Sequence, residues 1–169
     1  MAQTKDQAKN LYPLPAYSYM VRIGSESYGF SQVSGLNFQY DTITYRHGLS
    51  IVEGAHHLIG ILQPINLTLE RGIVRQGSFL LEWISHVHQN NVVKQDITID
   101  LCDENGEPAV SWAVQNAIPT SYEAGSFEAG TNDVAIETLS LIANNMRVTY
   151  HLPNQSGGTR GSGFTFSGL

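Results

Sequence analysis

The sequence predicts a mainly β domain with one flanking α-helix. Apolar and polar residues alternate along most of the chain, clusters of Gly, Asn, Asp and Ser punctuate the alternation, and one segment alone carries helical spacing. At 169 residues the chain is about one domain and long enough to bury a real core.

From Ala16 onward, Tyr17, Tyr19, Val21 and Ile23 point one way and Ser18, Met20 and Arg22 the other, the period of a half-buried strand that Gly24-Ser25 ends. Tyr28 and Phe30 continue in a second short strand closed by Ser34-Gly35. A third run over residues 36–45 carries Leu36, Phe38 and Tyr40 on one face, so the opening of the chain reads as a β-meander. Residues 63–71 give the cleanest alternation, with Ile65, Leu67 and Leu69 against Asn66, Thr68 and Glu70. Ser78 then caps a helix in which Phe79, Leu80, Trp83, Ile84 and Val87 recur at helical spacing.

Residues 93–101 repeat the two-faced strand, with Ile97, Ile99 and Leu101 against Lys94, Asp96, Thr98 and Asp100, before Asp103-Glu104-Asn105-Gly106 turns. Further strands are expected at 110–114 around Trp112, at 134–142 and at 146–152, with Asn144-Asn145 as the turn between the last two. The 134–142 run changes phase between Ile136 and Leu139, which points to a bulge or a strand exchanging neighbours, and a helix is the competing reading. The organisation is an N-terminal arm at 1–14, a domain at 15–152 and a Gly/Ser-rich flexible tail at 153–169. Alternating Phe164 and Phe166 suit the end of that tail to adding a strand to a neighbour once bound.

Composition excludes several functions. A net charge of −6 with 9 basic residues does not suit specific nucleic-acid binding, which needs clustered Lys and Arg. The single Cys102 allows no intrachain disulfide, and no run of apolar residues is long enough to span a bilayer. The first ten residues lack the apolar core of a secretory signal, so no Sec export is expected.

A search for chemistry finds none. No phosphate-binding loop is present, and Gly161-Ser162-Gly163 lies in the tail. His56 and His57 diverge if extended, His86 and His88 sit apart on a helix, and Asp100, Asp103, Asn105 and Glu107 have the wrong register for a calcium loop. Cys102 has no His partner in sequence and suits the core. No catalytic residue, metal or cofactor is therefore expected. Residues 41–62 are long for a hairpin yet carry Gly48, Leu49, Ile51, Val52, Gly54, His56, His57 and Leu58, an apolar loop suited to an intersubunit contact.

Taken in order, Phe30 with Val33-Ser34-Gly35-Leu36, Gly48 and Gly54, Leu67-Thr68-Leu69-Glu70-Arg71-Gly72, Trp83, Trp112, Ala117-Ile118-Pro119 and Ala135-Ile136-Glu137 resemble the inner tube family of contractile phage tails. The resemblance extends to phage-tail-like extracellular injection systems and to the haemolysin-coregulated tube protein of type VI secretion, and the extracellular branch is the closest in pattern. It implies a β-barrel or sandwich tail-tube fold with a flanking helix, six copies forming a hexameric ring with a continuous inner β-barrel. It implies as partners further copies of the chain, a contractile sheath, a baseplate and spike, a terminator cap and effector cargo in the lumen. Such a subunit is made in the cytoplasm and leaves in a particle.

With the resemblance in hand, the acidic stretch between Lys94 and Arg147, which contains no Lys or Arg, suits a channel wall. The candidate lumen-facing residues are Asn66, Thr68, Glu70, Lys94, Asp96, Thr98 and Asp100. The 41–62 segment, through Gly48 to Leu58, becomes the candidate ring-stacking loop. Two rival readings stand beside this one: a monomeric β-sandwich module stacking carbohydrate on Tyr40, Tyr45 or Trp112, and a small hydrolase with dispersed residues.

Overall fold

The computed structural model describes residues 13–46, 54–75, 78–130, 132–151 and 165–167. The strands there are β1 (Tyr19–Ile23), β2 (Glu26–Tyr28), β3 (Gln32–Ser34), β4 (Tyr40–Tyr45), β5 (His56–Leu62) and β6 (Ile65–Gly72). After the helix α1 (Phe79–His88) come β7 (Gln95–Cys102), β8 (Pro108–Ala124), β9 (Ile136–Ala143), β10 (Asn145–Tyr150) and β11 (Thr165–Ser167).

Two layers share one long strand. In layer A the order is β2-β1-β7-β8-β10-β11, and in layer B it is β8-β9-β6-β3, every pairing antiparallel. The first half of β8 belongs to layer A and the second half to layer B. Register puts the alternating apolar residues side by side: Ile23, Ile97, Val114 and Met146 form one row of layer A, and Leu69, Leu139 and Tyr122 one row of layer B. Val21, Ile97, Ile99, Val114 and Met146 from layer A meet Ile65, Leu67, Leu69, Leu139 and Leu141 from layer B in a single buried cluster. The clean alternation read at 63–71 and 93–101 is thus the two inner faces of one core.

The crossing of β8 between layers has a local cause. Gln115 and Asn116 oppose the single Asp96 of β7, a bulge in which Asn116 takes φ +55° and donates its backbone N–H to Asp96 Oδ1 at 2.9 Å. Opposite this bend the partner strand also breaks, at Asn144. β9 lies along the second half of β8 and β10 along the first, in one continuous register, with Ile142 facing Ile118 and Asn145 facing Gln115. The expected turn at Asn144-Asn145 is therefore a kink in a single bent strand, not a reversal.

Helix α1 closes one end of the core. Ser78 is its N-cap and accepts from the Leu81 N–H. At the other end Asn90, φ +59°, sits in the left-handed region while Asn90 N–H reaches Val87 O and Asn91 N–H reaches His86 O, a Schellman arrangement. Leu80 and Trp83 are buried, each burial contributing about 1.5–3 kcal/mol. Trp83 Nε1 donates to Val93 O at 2.8 Å, and Phe79 stacks on Tyr28 with ring centroids 5.0 Å apart.

The structure corrects four further expectations. The opening of the chain is not a β-meander: β2 pairs with β1 in layer A, β3 pairs with β6 in layer B, and β4, which begins at Tyr40, pairs only with β5 in a separate two-stranded sheet. The strand expected at 110–114 continues through Pro119 to Ala124. The phase change near 136 is neither helix nor bulge: Val134 precedes β9, and the inward position shared with Leu139 and Leu141 belongs to Glu137. The end of the tail forms β11 against β10 of its own chain, with Arg147 opposite Ser167 and Thr149 opposite Thr165.

Candidate functional site

A surface that joins copies must offer something a lone subunit leaves unsatisfied. The β4–β5 pair is the first such feature. Register places Ile43, Tyr45, His56 and Leu58 on one face of this ribbon, and Thr42, Thr44, His57 and Ile59 on the other, with Ile61 in the irregularity next to them. Every residue of β4 is exposed, and Ile59 and Ile61 are each 79% exposed. Apolar side chains on both faces of a ribbon on which no other sheet packs among the described residues are costly in water. At its root Gln63 N–H donates to Gln39 O at 2.7 Å and the Gln63 amide donates to Asp41, beside an open cavity of about 560 Å³ lined by Asn37, Gln39 and Asn66.

The long loop expected here is thus an arm with strand geometry. Of the residues singled out in it, His56, His57 and Leu58 lie on β5 and Gly54 just before it with φ +83°. Gly48, Leu49, Ile51 and Val52 fall outside the described residues.

Sheet edges are the second feature. β2 and β3 are three residues each, and β10 is covered over Arg147 to Thr149 by β11. The second half of β8, from Ile118 to Ala124, pairs with β9 on one side, and among the described residues no strand lies on its other side. Pro119 has no N–H and the register breaks between Pro119 and Ser121, so the outward N–H and C=O groups from Ser121 to Ala124 are the part of this edge that offers a template for another strand.

The seven candidate lumen residues do not form one surface. Asn66, Thr68 and Glu70 lie on the outward face of layer B, in register with Ile142, Ser140 and Thr138. Asp96, Thr98 and Asp100, with Lys94 just before them, lie on the outward face of layer A, and the shared core separates the two sets. Asp100 is only 5% exposed: Arg22 Nη2 donates to Asp100 Oδ2 at 2.7 Å and the Ser111 hydroxyl donates to Asp100 Oδ1. Asp96 holds the β8 bulge. These two carboxylates serve the fold of the subunit, while the side chains of Glu70 and Lys94 make no such bond among the described residues.

Ser111 brings a Ser, a His and an Asp together without making a catalytic relay. Its hydroxyl, donating to Asp100, can only accept from His151 Nε2 at 2.8 Å, so His151 does not stand between nucleophile and carboxylate as a general base must. Cys102 is buried, and desolvation, with Asp100, Asp103 and Glu107 nearby, pushes its thiol up and keeps it protonated. Among the described residues no group of three or more His, Cys, Asp and Glu is placed to hold a metal.

The polar centre that sequence reasoning missed is structural. Glu137, fully buried, accepts from Arg71 Nε at 2.6 Å, from the Ser78 hydroxyl at 2.9 Å and from Tyr122 OH at 2.8 Å. Burial alone would raise its carboxyl, but the hydrogen bonds from Arg71, Tyr122 and Ser78 and the Arg71 charge together hold it below its ordinary value of 4.5. Arg71 also reaches Ser78 Oγ, so the N-cap of α1 is tied to β6, β8 and β9 of layer B. Arg71 and Glu137 stand 66 positions apart, and the one available hint was a charged residue at each apolar phase.

The model of the T4-like virus tail tube protein gp19 matches residues 15–147. The chain belongs to this tail tube family. Its function is the family's, a structural subunit of a tail tube. Among solved structures, a chain of the extended sheath–tube complex of PVC, an extracellular contractile injection system, has a TM-score of 0.80 and 36% identity over 89% of this chain and 100% of that one. The tube-terminating cap of the anti-feeding prophage AFP follows at 0.77 and 37%, over 83% of this chain and 93% of that one. Hcp1 from Flavobacterium johnsoniae shares the fold at 0.50 and 14%, over 78% and 94%. No curated protein sequence matches. The mainly β tail tube fold expected from the resemblance is the fold of the structure.

Proposed function

We propose that this tail tube subunit polymerises as stacked hexameric rings and forms the rigid inner conduit of an extracellular contractile injection particle. The observation that carries the reading is the likeness, at 36% identity and over all of that chain, to a chain of the PVC sheath–tube complex. Ring closure pairs the open β8 edge of one layer B with the short β3 edge of the next, so that the layers join into one inner barrel. The arm supports stacking, because a neighbour above and another beside it would cover both apolar faces at once.

A contractile sheath then surrounds the tube, a baseplate and spike and a terminator cap close its ends, and effector cargo occupies the bore. The subunit performs no bond chemistry; its work is conduction and mechanical rigidity. Assembly takes place in the cytoplasm, and release follows in the finished particle.

Purified protein is expected to elute as rings or larger species in size-exclusion chromatography and to give hollow tubes in negative-stain micrographs. Monomers alone across concentration and salt would overturn the reading.

A further inference from the structure

The two layers differ in how their edges are finished. In layer B, β3 at one end is three residues, while the other end is the open β8 edge from Ile118 to Ala124. In layer A, β2 is equally short and carries Glu26, features that blunt an edge by themselves. The opposite end of layer A is β10, six residues long, and left bare it would be a second long template. β11 lies there, pairing across Arg147, Val148 and Thr149. With β11 in place, the second half of β8 is the one long uncovered edge of the two layers among the described residues.

β11 is also external to the family domain. The family match ends at residue 147, inside β10, whereas β11 begins at Thr165 beyond a Gly/Ser-rich stretch. The domain is therefore defined without this strand, which is added to an edge the domain leaves bare.

We propose that β11 is an edge guard: by occupying β10 it denies that edge to a second copy of the chain and confines self-association to the β8 edge of layer B. The inference rests on the tube reading above. A polymer that must grow only as closed rings has a specific need for such a guard, because two open long edges allow subunits to join in the wrong order and to form open, irregular sheets.

The test uses the full-length chain in two variants. Phe166→Pro removes the backbone N–H opposite Val148 and breaks the three-residue ladder. Thr149→Cys with Thr165→Cys places two thiols at directly opposed positions, where oxidation locks β11 onto β10. Circular dichroism first establishes that both are folded. Phe166→Pro is expected to shift material from regular tubes to irregular aggregates, lowering the tube yield by about tenfold, roughly 1.4 kcal/mol in the partition. The locked variant is expected to give tubes at the parental yield before and after reductant.

Unchanged tube yield in Phe166→Pro would overturn the guard and leave the tube reading intact. A locked variant that assembles only after reduction would also overturn it, since β11 would then have to leave for rings to close. Absence of tubes from the parent and both variants would instead remove the tube reading, and the guard with it.

Discussion

At the scale of single residues, two positions are fixed by packing that no neighbour in sequence reveals. Gly35 takes φ +91°, and a Cβ built there would stand 1.9 Å from the backbone O of Asn66, where the chain after β3 crosses β6. Backbone cannot yield as a flexible side chain would, so Gly35→Ala is expected to cost about 2 kcal/mol or more, read as a lowered thermal midpoint. An unchanged midpoint would show that the crossing is looser than drawn. Glu137 is the second. Its carboxyl is held below the ordinary value, so the stability it contributes is complete above the usual carboxylate range and is lost as pH falls through the folded-state value. Glu137→Gln leaves Arg71 buried without its counter-charge, at a cost of about 3–5 kcal/mol at neutral pH, or on the order of 10 °C in thermal midpoint. The gap between parent and variant should narrow as pH falls below 4.5 and on through the lower folded-state value, where the parent carboxyl becomes neutral too. An equal gap at pH 7 and in acid would mean that shape rather than charge is at issue.

At the scale of elements, what could be read locally was what local periodicity decides. β6, β7 and α1 stand where alternation or helical spacing put them, and the Asp103 turn forms because its own carboxylate accepts from the N–H groups of Asn105 and Glu107. The second half of β8 was hidden because Asn116 and Pro119 resemble breakers. Asn116 is the bulge, and an edge strand tolerates Pro119. The pairing of β10 with β8 instead of β9 followed from the bend, a tertiary event with no sequence period. The arm was legible as apolar and unpartnered, but not as a ribbon, because its apolar residues fall on both faces and so break the two-residue alternation. That same feature makes a prediction. Ile59→Asp with Ile61→Asp touches residues that are 79% exposed, so each change should leave stability within about 0.5 kcal/mol. Tube formation should nevertheless be lost in sedimentation and micrographs. A double variant that still forms tubes at the parental concentration would exclude the arm from assembly.

At the scale of the whole molecule, the two outward faces of a subunit in the proposed ring cannot both line one bore, and strand number gives a reason to expect one of them there. Layer A has six strands and layer B four, so at about 4.8 Å per strand they span roughly 29 Å and 19 Å. In a closed ring the circumference available to each subunit grows with radius, so the wider layer belongs outside and the narrower one inside. On the proposed ring, this argument makes Thr68, Glu70, Thr138, Ser140 and Glu123, which share the outward face of layer B, the expected bore wall, a polar and acidic surface that would repel anionic cargo. On the same argument Lys94 and Thr98 are expected on the outer side of the tube. Single cysteines at Glu70 and at Lys94 separate the alternatives. In unassembled subunits both should react with a small and with a bulky maleimide. In tubes the Lys94→Cys site should keep reacting with both, while the Glu70→Cys site should lose the bulky reagent and keep the small one. Full bulky labelling of Glu70→Cys in intact tubes, with protection at Lys94→Cys, would turn the subunit inside out and place the six-stranded layer on the bore.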